Sequence, residues 1–352
     1  MTMNLIADRR PTPSSPRGAF WQRRGVEGRG LAIDLGTSTI RIGVAGRIVI
    51  EEPCAVVQER DGRILAVGDE TRNVVGRNPP GIEVVEPVAD GVVTNIDVAE
   101  ELLQRLLRRG EVTGTRNHMR AVVVVPLVAD GLHRRALLQC VQASLPKAQL
   151  VPLEAPMAAA VGSDLPVQEA FGTMVIDVGR GITEAAVVSL GTMVTSRAAL
   201  VGGAAAEVAV VDHVAERHDL EIGRHSAQRI VRFSSETRTG AVLVRGINGA
   251  TGLPRGVQMT RPEVRAVLRP VIESIAMVAK NALDAAPAAL AADVMQGQIV
   301  LTGGASKLDG LATAIEEQTG IAVRIRADPD RAVIDGARLC LDGPALADSP
   351  YA

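Results

Sequence analysis

Asp34-Leu-Gly-Thr-Ser-Thr and Asp177-Val-Gly-Arg-Gly-Ile-Thr each follow a short apolar run, Leu31-Ala-Ile in the first case and Thr173 to Ile176 in the second. A carboxylate at the end of a buried strand, followed at once by a glycine turn, suits an anion that travels with a divalent cation. Backbone N–H groups and small hydroxyls of such a turn can cradle phosphate oxygens, and glycine lets the ligand come close to the main chain. The aspartate can hold Mg²⁺ through water, because magnesium keeps much of its hydration shell beside phosphates. A single Asp-x-Gly is commonly a plain hairpin turn. Two of them, followed by Gly202-Gly203 and Gly303-Gly304, predict a triphosphate clasped from both sides.

The elements that must position these turns are legible from periodicity. Ile40 to Val44 and Arg47 to Ile50 read as strands returning from the first turn, and Glu184 to Leu190 as the strand returning from the second. Val98 to Arg109 carries Leu102, Leu103, Leu106 and Leu107 at helical spacing. Ala121 to Val125 is a buried strand stopped by Pro126, Gly131 to Ser144 a helix, and Leu150 to Leu153 a short strand. Pro156 then opens a small-residue helix to Gly162, with proline in the favoured first turn. Gln298 to Leu301 is a further strand, followed by Thr302-Gly-Gly-Ala-Ser and a helix from Leu308 to Gln318. Strand, Asp-x-Gly turn and returning strand occur twice, about 140 residues apart, too far for a solenoid repeat. A duplicated α/β domain is the expectation.

Composition narrows the function. The chain has 352 residues, enough for two domains with cores of their own. With 38 basic against 40 acidic side chains there is no excess positive charge to neutralise nucleic acid phosphates. Phe20, Trp21, Phe171, Phe233 and Tyr351 are the only aromatic residues, so a stacking platform for single strands is not expected either. Cys54, Cys140 and Cys340 are scattered and read as buried reduced thiols. The five histidines show no ligand spacing, and a metal site made by protein side chains alone is not expected. No apolar stretch approaches a membrane span and no signal-peptide core is present, which places the chain in the cytoplasm. Residues 1–29, rich in Arg, Pro, Gly and Ser, read as a disordered arm in which Phe20-Trp21 beside Arg23 and Arg24 is a candidate membrane contact.

These turns sit within longer stretches that resemble the MreB/Mbl family of bacterial actin homologues. They include DLGTSTIRIGVAG from Asp34, EEPCAVV from Glu51, PVADGVV from Pro87 and APMAAAVGSDLPV from Ala155. MVIDVGRGITEAAVVSLG from Met174, GLPRGV from Gly252 and IVLTGGASKLDGLA from Ile299 follow, so the resemblance runs from about Leu31 to about Leu341. It implies an actin-like, ribonuclease H-like duplicated two-domain ATPase fold, with residues 30–166 and 321–345 in domain I and 167–320 in domain II. It further implies ATP and Mg²⁺ as cofactors and filaments formed with itself or an intact paralogue. Those filaments would lie at the inner face of the membrane and serve the cell-wall elongation or sporulation machinery.

The nucleotide set implied by the resemblance begins with Asp34, Gly36, Thr37, Ser38 and Thr39 in the first turn, all family-like. In the second turn Asp177, Gly179 and Gly181 match the family's DIGGGTTE, while Arg180 stands for a glycine and Ile182 for a phosphate-facing threonine. Arg180 would either crowd the phosphates or pair with one as a charged donor. Gly202, Gly203, Gln228, Gly303, Gly304, Ala305 and Ser306 complete the set, with Gln228 where the family carries glutamate and Val231 where it carries lysine. Asp34 and Asp177 would hold Mg²⁺ through water. The family's glutamate before proline, which positions the attacking water, falls on Ala155. General-base help is worth ~10²–10⁴ in rate, and a methyl group supplies none. Glu154 is one residue off along the strand and should point the other way. In the loop Thr94-Asn-Ile-Asp-Val only Ile96 remains of the adjacent hydrophobics with which relatives meet the membrane.

The expectation is therefore an actin-like filament protein, or a partner in such filaments, with weak or absent ATP hydrolysis. An active ATP-hydrolysing filament protein is the alternative, and a non-polymerising regulatory relative of the chaperone and sugar-kinase fold is a further one.

Overall fold

Apolar runs that end in Asp-Gly turns become the central strands of two matching sheets. The computed structural model describes residues 30–341 apart from 75, 77, 113–118 and 237–239. The expected arm with Phe20 and Trp21, and residues 342–345 of the expected domain I, lie outside the described residues.

In chain order the elements are β1 (Gly30–Leu35), β2 (Thr39–Val44), β3 (Arg47–Pro53), β4 (Val56–Glu59), β5 (Ile64–Val67), β6 (Ile82–Val85), β7 (Val88–Ala89) and β8 (Val92–Val93). Then come α1 (Ile96–Arg109), β9 (Arg120–Val125), α2 (Gly131–Ser144), β10 (Gln149–Glu154) and α3 (Ala155–Gly162). The second half runs β11 (Thr173–Val178), β12 (Thr183–Ser189), β13 (Thr192–Ala199), α4 (Gly203–His218), β14 (Leu220–Glu221), α5 (Arg224–Glu236), β15 (Ala241–Asn248) and β16 (Pro254–Thr260). It closes with α6 (Arg261–Asp284), α7 (Ala288–Gln296), β17 (Ile299–Thr302), α8 (Leu311–Thr319), β18 (Val323–Ile325) and α9 (Ala332–Leu339).

The two large sheets have the orders β10-β9-β1-β2-β3 and β18-β17-β11-β12-β13, which are the same order built twice. In each, the central strand pairs antiparallel with the strand after its turn and parallel with a later one. The register repeats too: Asp34 lies opposite Arg41 and Asp177 opposite Glu184. Leu102, Leu103, Leu106, Leu137 and Val141 of α1 and α2 cover the outer face of the first sheet. Val210, Val214, Leu268, Ile275 and Ile315 of α4, α6 and α8 cover that of the second.

A third cluster lies between the sheets and joins them: Ala32, Val122 and Leu153 from one side, Val175, Ala186 and Val188 from the other, with α3 and α9 between. The two helices cross where Gly162 meets Gly336. A Cβ on Gly162 would stand 2.0 Å from the Ala332 carbonyl oxygen, and one on Gly336 would stand 1.8 Å from that of Ala158. No side chain fits there, which is why the small-residue run Ala155–Gly162 was needed at this position. One boundary needs correction. The return to the first domain, expected at residue 321, comes later, because β18 pairs in parallel with β17 and extends the second sheet. The apolar tripeptide after α8 completes a β17-α8-β18 crossover before the chain turns back through α9. All three cysteines are buried and free, as expected.

Candidate functional site

The repeated register brings both turns to one cleft between the sheets. Asp34 keeps some accessible surface at the end of β1, yet the surrounding protein desolvates its carboxyl and lifts the pKa from 3.8 to about 6. Arg41 opposes this only through space, because its guanidinium is bound to Glu51 at 2.9 Å and to Asp330 at 3.1 Å. Asp177 is 8% exposed and is likewise raised to about 6, chiefly by burial and further by the negative charge of Asp34. Thr302 Oγ1 donates to Asp177 Oδ1 at 2.9 Å and partly offsets the rise. The two aspartates thus feel each other across the cleft.

A third carboxylate joins them. Glu184, opposite Asp177 on β12, is 1% exposed, and its pKa is raised to about 8 by desolvation first and then by Asp177 and Asp34. Its Oε1 accepts from the Leu127 backbone N–H, while Oε2 is buried without a partner. Sequence reasoning passed over Glu184 inside a stretch it had singled out. The signal was the spacing: Asp34 to Arg41 and Asp177 to Glu184 are the same step in each repeat. Three desolvated carboxyls, with no cation bonded to them among the described residues, match the demand of a hydrated divalent ion.

The turns themselves are bridged by one segment, Asp90-Gly91. The Gly91 N–H donates to Thr37 Oγ1 at 3.2 Å, and a Cβ on Gly91 would lie 3.0 Å from Ile182 Cδ1. Ile182 is therefore a packing residue, 9% exposed, against the first domain. Ser38 is exposed in the first turn, and Thr39 begins β2.

Arg180 is engaged by a carboxylate of its own half of the chain. Its Nη2 donates to Glu207 Oε2 at 2.9 Å, on α4. The same carboxylate accepts from Gln228 Nε2 at 3.0 Å and pairs with Arg224 Nε at 3.3 Å. Arg224 reaches on to Glu86 of the first domain at 2.5 Å, so an ionic chain crosses the cleft from the second turn to the loop before β7. Arg180 and Gln228, both expected at the nucleotide, are held together by a residue the sequence had not marked.

Gly202 and Gly303 do make close approaches, but to protein. A Cβ on Gly202 would stand 2.5 Å from the Gly179 carbonyl oxygen, and one on Gly303, at φ +89°, 2.3 Å from that of Val178. Gly203 and Ala204 donate their N–H groups to the Gly179 and Arg180 carbonyls at 3.1 and 2.7 Å. These loops fix the second turn from behind. Gly304 faces more open space, Ala305 N–H bonds to Val178 O at 2.9 Å, and Ser306 is fully buried with its Oγ unpartnered. Ala155 is buried at the start of α3, and Glu154 turns aside to pair with Arg134 at 3.2 Å. Ile96 is exposed as the first residue of α1, whose Asn95 cap accepts from Val98 N–H at 3.1 Å. No helix among the described residues is long and apolar enough to cross a membrane.

Two copies of one sheet order, crossing helices between them and an acidic turn from each copy facing one cleft define the actin-like two-domain α/β class. Residues 28–348 match the family model of the MreB/Mbl protein. The chain is 35% identical over 330 residues to the cell shape-determining protein MreB of Escherichia coli K12, covering 91% of this chain and 95% of that one. It is 30% identical over 320 residues to the cell shape-determining protein Mbl of Bacillus subtilis 168, covering 89% and 96%. It superimposes on MreB5 of Spiroplasma citri bound to AMPPNP with a TM-score of 0.83 at 23% identity, over 88% of this chain and 95% of that one. The MamK double helical filament gives 0.71 at 23% identity, over 90% and 100%. The chain belongs to the MreB/Mbl family.

Proposed function

We propose that this chain is an actin-like cytoskeletal protein that takes ATP with Mg²⁺ into the cleft between Asp34 and Asp177 and hydrolyses it weakly. It assembles, alone or with an intact paralogue, into filaments at the inner face of the membrane, where they organise cell-wall synthesis and cell shape. The observation that carries the reading is the facing pair of desolvated aspartates, one from each repeat, each raised to about 6. Mg²⁺, when bound, would supply the positive charge that lets both carboxyls ionise beside phosphates. Relatives support the cytoskeletal part: the Escherichia coli and Bacillus subtilis proteins carry the name cell shape-determining, and MreB5 is known with AMPPNP and with ADP.

Weak hydrolysis is supported by the side chains that stand at the expected catalytic positions. Ala155 offers a methyl group, Ile182 is packed against Gly91, and Glu154 is engaged by Arg134. Glu184 has a buried oxygen without a partner, and in the nucleotide-free chain its pKa of about 8 leaves it protonated at neutral pH, a poor base. The deciding experiment is calorimetric titration of the purified chain with ATP and Mg²⁺, paired with electron microscopy with and without nucleotide. Saturable binding and nucleotide-dependent filaments are expected. No heat of binding, and no filaments alone or with a paralogue, would leave a non-polymerising relative instead.

A further inference from the structure

Two histidines that chain spacing did not connect come together with a glutamate outside the cleft. His213 and His218 lie near the C-terminal end of α4, about 140° apart around the helix. His218 is its last residue, before Asp219 in the left-handed conformation at φ 49°. Both rings turn toward the first turn of α6, where His213 Nε2 lies 3.0 Å and His218 Nε2 2.8 Å from the same oxygen, Oε1 of Glu263. The rings stand edge to face with centroids 5.8 Å apart, and one ligand atom from each of the three residues lies within 4.8 Å of the others.

We infer that this cluster is a binding site for a borderline transition-metal cation of the Zn²⁺ class. Two imidazole nitrogens and one carboxylate oxygen are a donor set that suits zinc and its neighbours and is wrong for Mg²⁺ or Ca²⁺, which take oxygen shells. The carboxylate is already aimed. Glu263 Oε2 accepts from the Thr260 N–H at 3.4 Å and the Glu263 N–H donates to Thr260 Oγ1 at 3.4 Å, a reciprocal cap that leaves Oε1 for the histidines. The two nitrogen–oxygen separations, 2.8 and 3.0 Å, would open to the ~3.3 Å that bonds of about 2.0–2.1 Å give at a tetrahedral centre, and all three donors already lie within 4.8 Å of one another. The imidazoles meet the cation by carrying their protons on Nδ1. Side-chain exposures of 27%, 21% and 26% leave the fourth position open to water.

Such an ion would fasten the end of α4 to the start of α6. The opposite end of α4 donates to the Gly179 and Arg180 carbonyls of the second turn. The site is independent of nucleotide binding in its ligands, so its test does not depend on the cleft.

The test uses the full chain, purified without a polyhistidine tag and stripped with a chelator. Titration with ZnCl₂ should show one tight site with a melting temperature that rises on binding, and MgCl₂ at the same concentration should leave both unchanged. His213→Gln and His218→Gln should each weaken zinc binding at least tenfold while circular dichroism stays native. Co²⁺ should give the intense visible bands of a low-coordinate site in the parent chain and lose them in either variant, a readout that survives any loss of stability. Absence of one-to-one zinc binding, or undiminished binding and cobalt bands in the double variant, would overturn the assignment.

Discussion

Glu184 stands directly across the β11–β12 hairpin from Asp177, in the position that Arg41 takes opposite Asp34 in the other repeat. The duplication therefore places a cation beside one aspartate and a second acid beside the other. That asymmetry sets the pH dependence of the empty protein. Glu184 ordinarily titrates at 4.5 and here at about 8, and the two aspartates move from 3.8 to about 6. Between these values the native state keeps protons that the unfolded chain has released, so stability falls as pH rises. The nucleotide-free protein should lose melting temperature from about pH 4.5 to about pH 8 through Glu184. Glu184→Gln removes that slope and should melt higher than the parent above pH 8, while any residual phosphate release disappears. Melting curves from pH 5 to 9 decide it, and parallel profiles for parent and variant would refute it.

Restoring the two altered groups should restore hydrolysis. Ala155 is buried at the first position of α3, and Ile182 is packed beside Gly91. Ala155→Glu with Ile182→Thr is expected to raise phosphate release about 10-fold or more, within the ~10²–10⁴ range of general-base help. Ala155→Glu alone should give the larger share. Turnover equal to that of the parent at saturating ATP would show that the limit lies elsewhere.

The order of elements was readable because the runs are buried on both faces and the turns are acidic and glycine-rich. Gly131 to Ser144 was expected as a helix and α2 has those bounds. The three-stranded sheets β5-β4-β6 and β14-β15-β16 were not expected. β15 alternates exposed and covered residues along its length, so no continuous apolar run announces it. At the site, Asp34 and Asp177 were legible because a strand followed by Asp-x-Gly is a local signal. Glu207 was not, since its value comes from Arg180, Arg224 and Gln228, three partners brought by a turn and a second helix. His213, His218 and Glu263 were missed for the same reason: two ligands end one helix and the third begins another.

Arg180 and Glu207 are 16% and 13% exposed, so their pairing is worth more than a surface bridge. Glu207→Ala leaves Arg180, whose Nε is already buried without a partner, as an uncompensated charge. A loss of roughly 2 kcal/mol in unfolding free energy is expected, somewhat below that of breaking a fully buried pair. Arg180→Gly should be milder, because it removes the guanidinium while Glu207 keeps Gln228 and Arg224. Denaturant titration of the singles and the double variant gives the coupling, and additive effects would mean that the pair contributes nothing.

The crossing of α3 and α9 makes the last prediction the most severe. Gly336 stands with its would-be Cβ at 1.8 Å from the Ala158 carbonyl oxygen and 2.8 Å from Gly162 N, and both are backbone atoms that cannot rotate away. Gly336→Ala must therefore drive the helices apart or break the packing of Ala158, Ala337 and Ile334 between the sheets. In an exposed helix the same change would stabilise by up to ~1 kcal/mol. Here overpacking should dominate, at a cost of about 1–3 kcal/mol or more. Because α3 leads from β10 toward β11 and α9 packs back on β1, any separation also widens the angle between the two sheets. Gly336→Ala should then weaken ATP binding as well as lower the melting temperature, while Ala337→Gly, on the same helix, costs stability by leaving space and spares the angle. Small-angle scattering and calorimetry on the two variants separate these effects. A Gly336→Ala protein as stable as the parent, with unchanged affinity, would show that the crossing has room the structure does not contain.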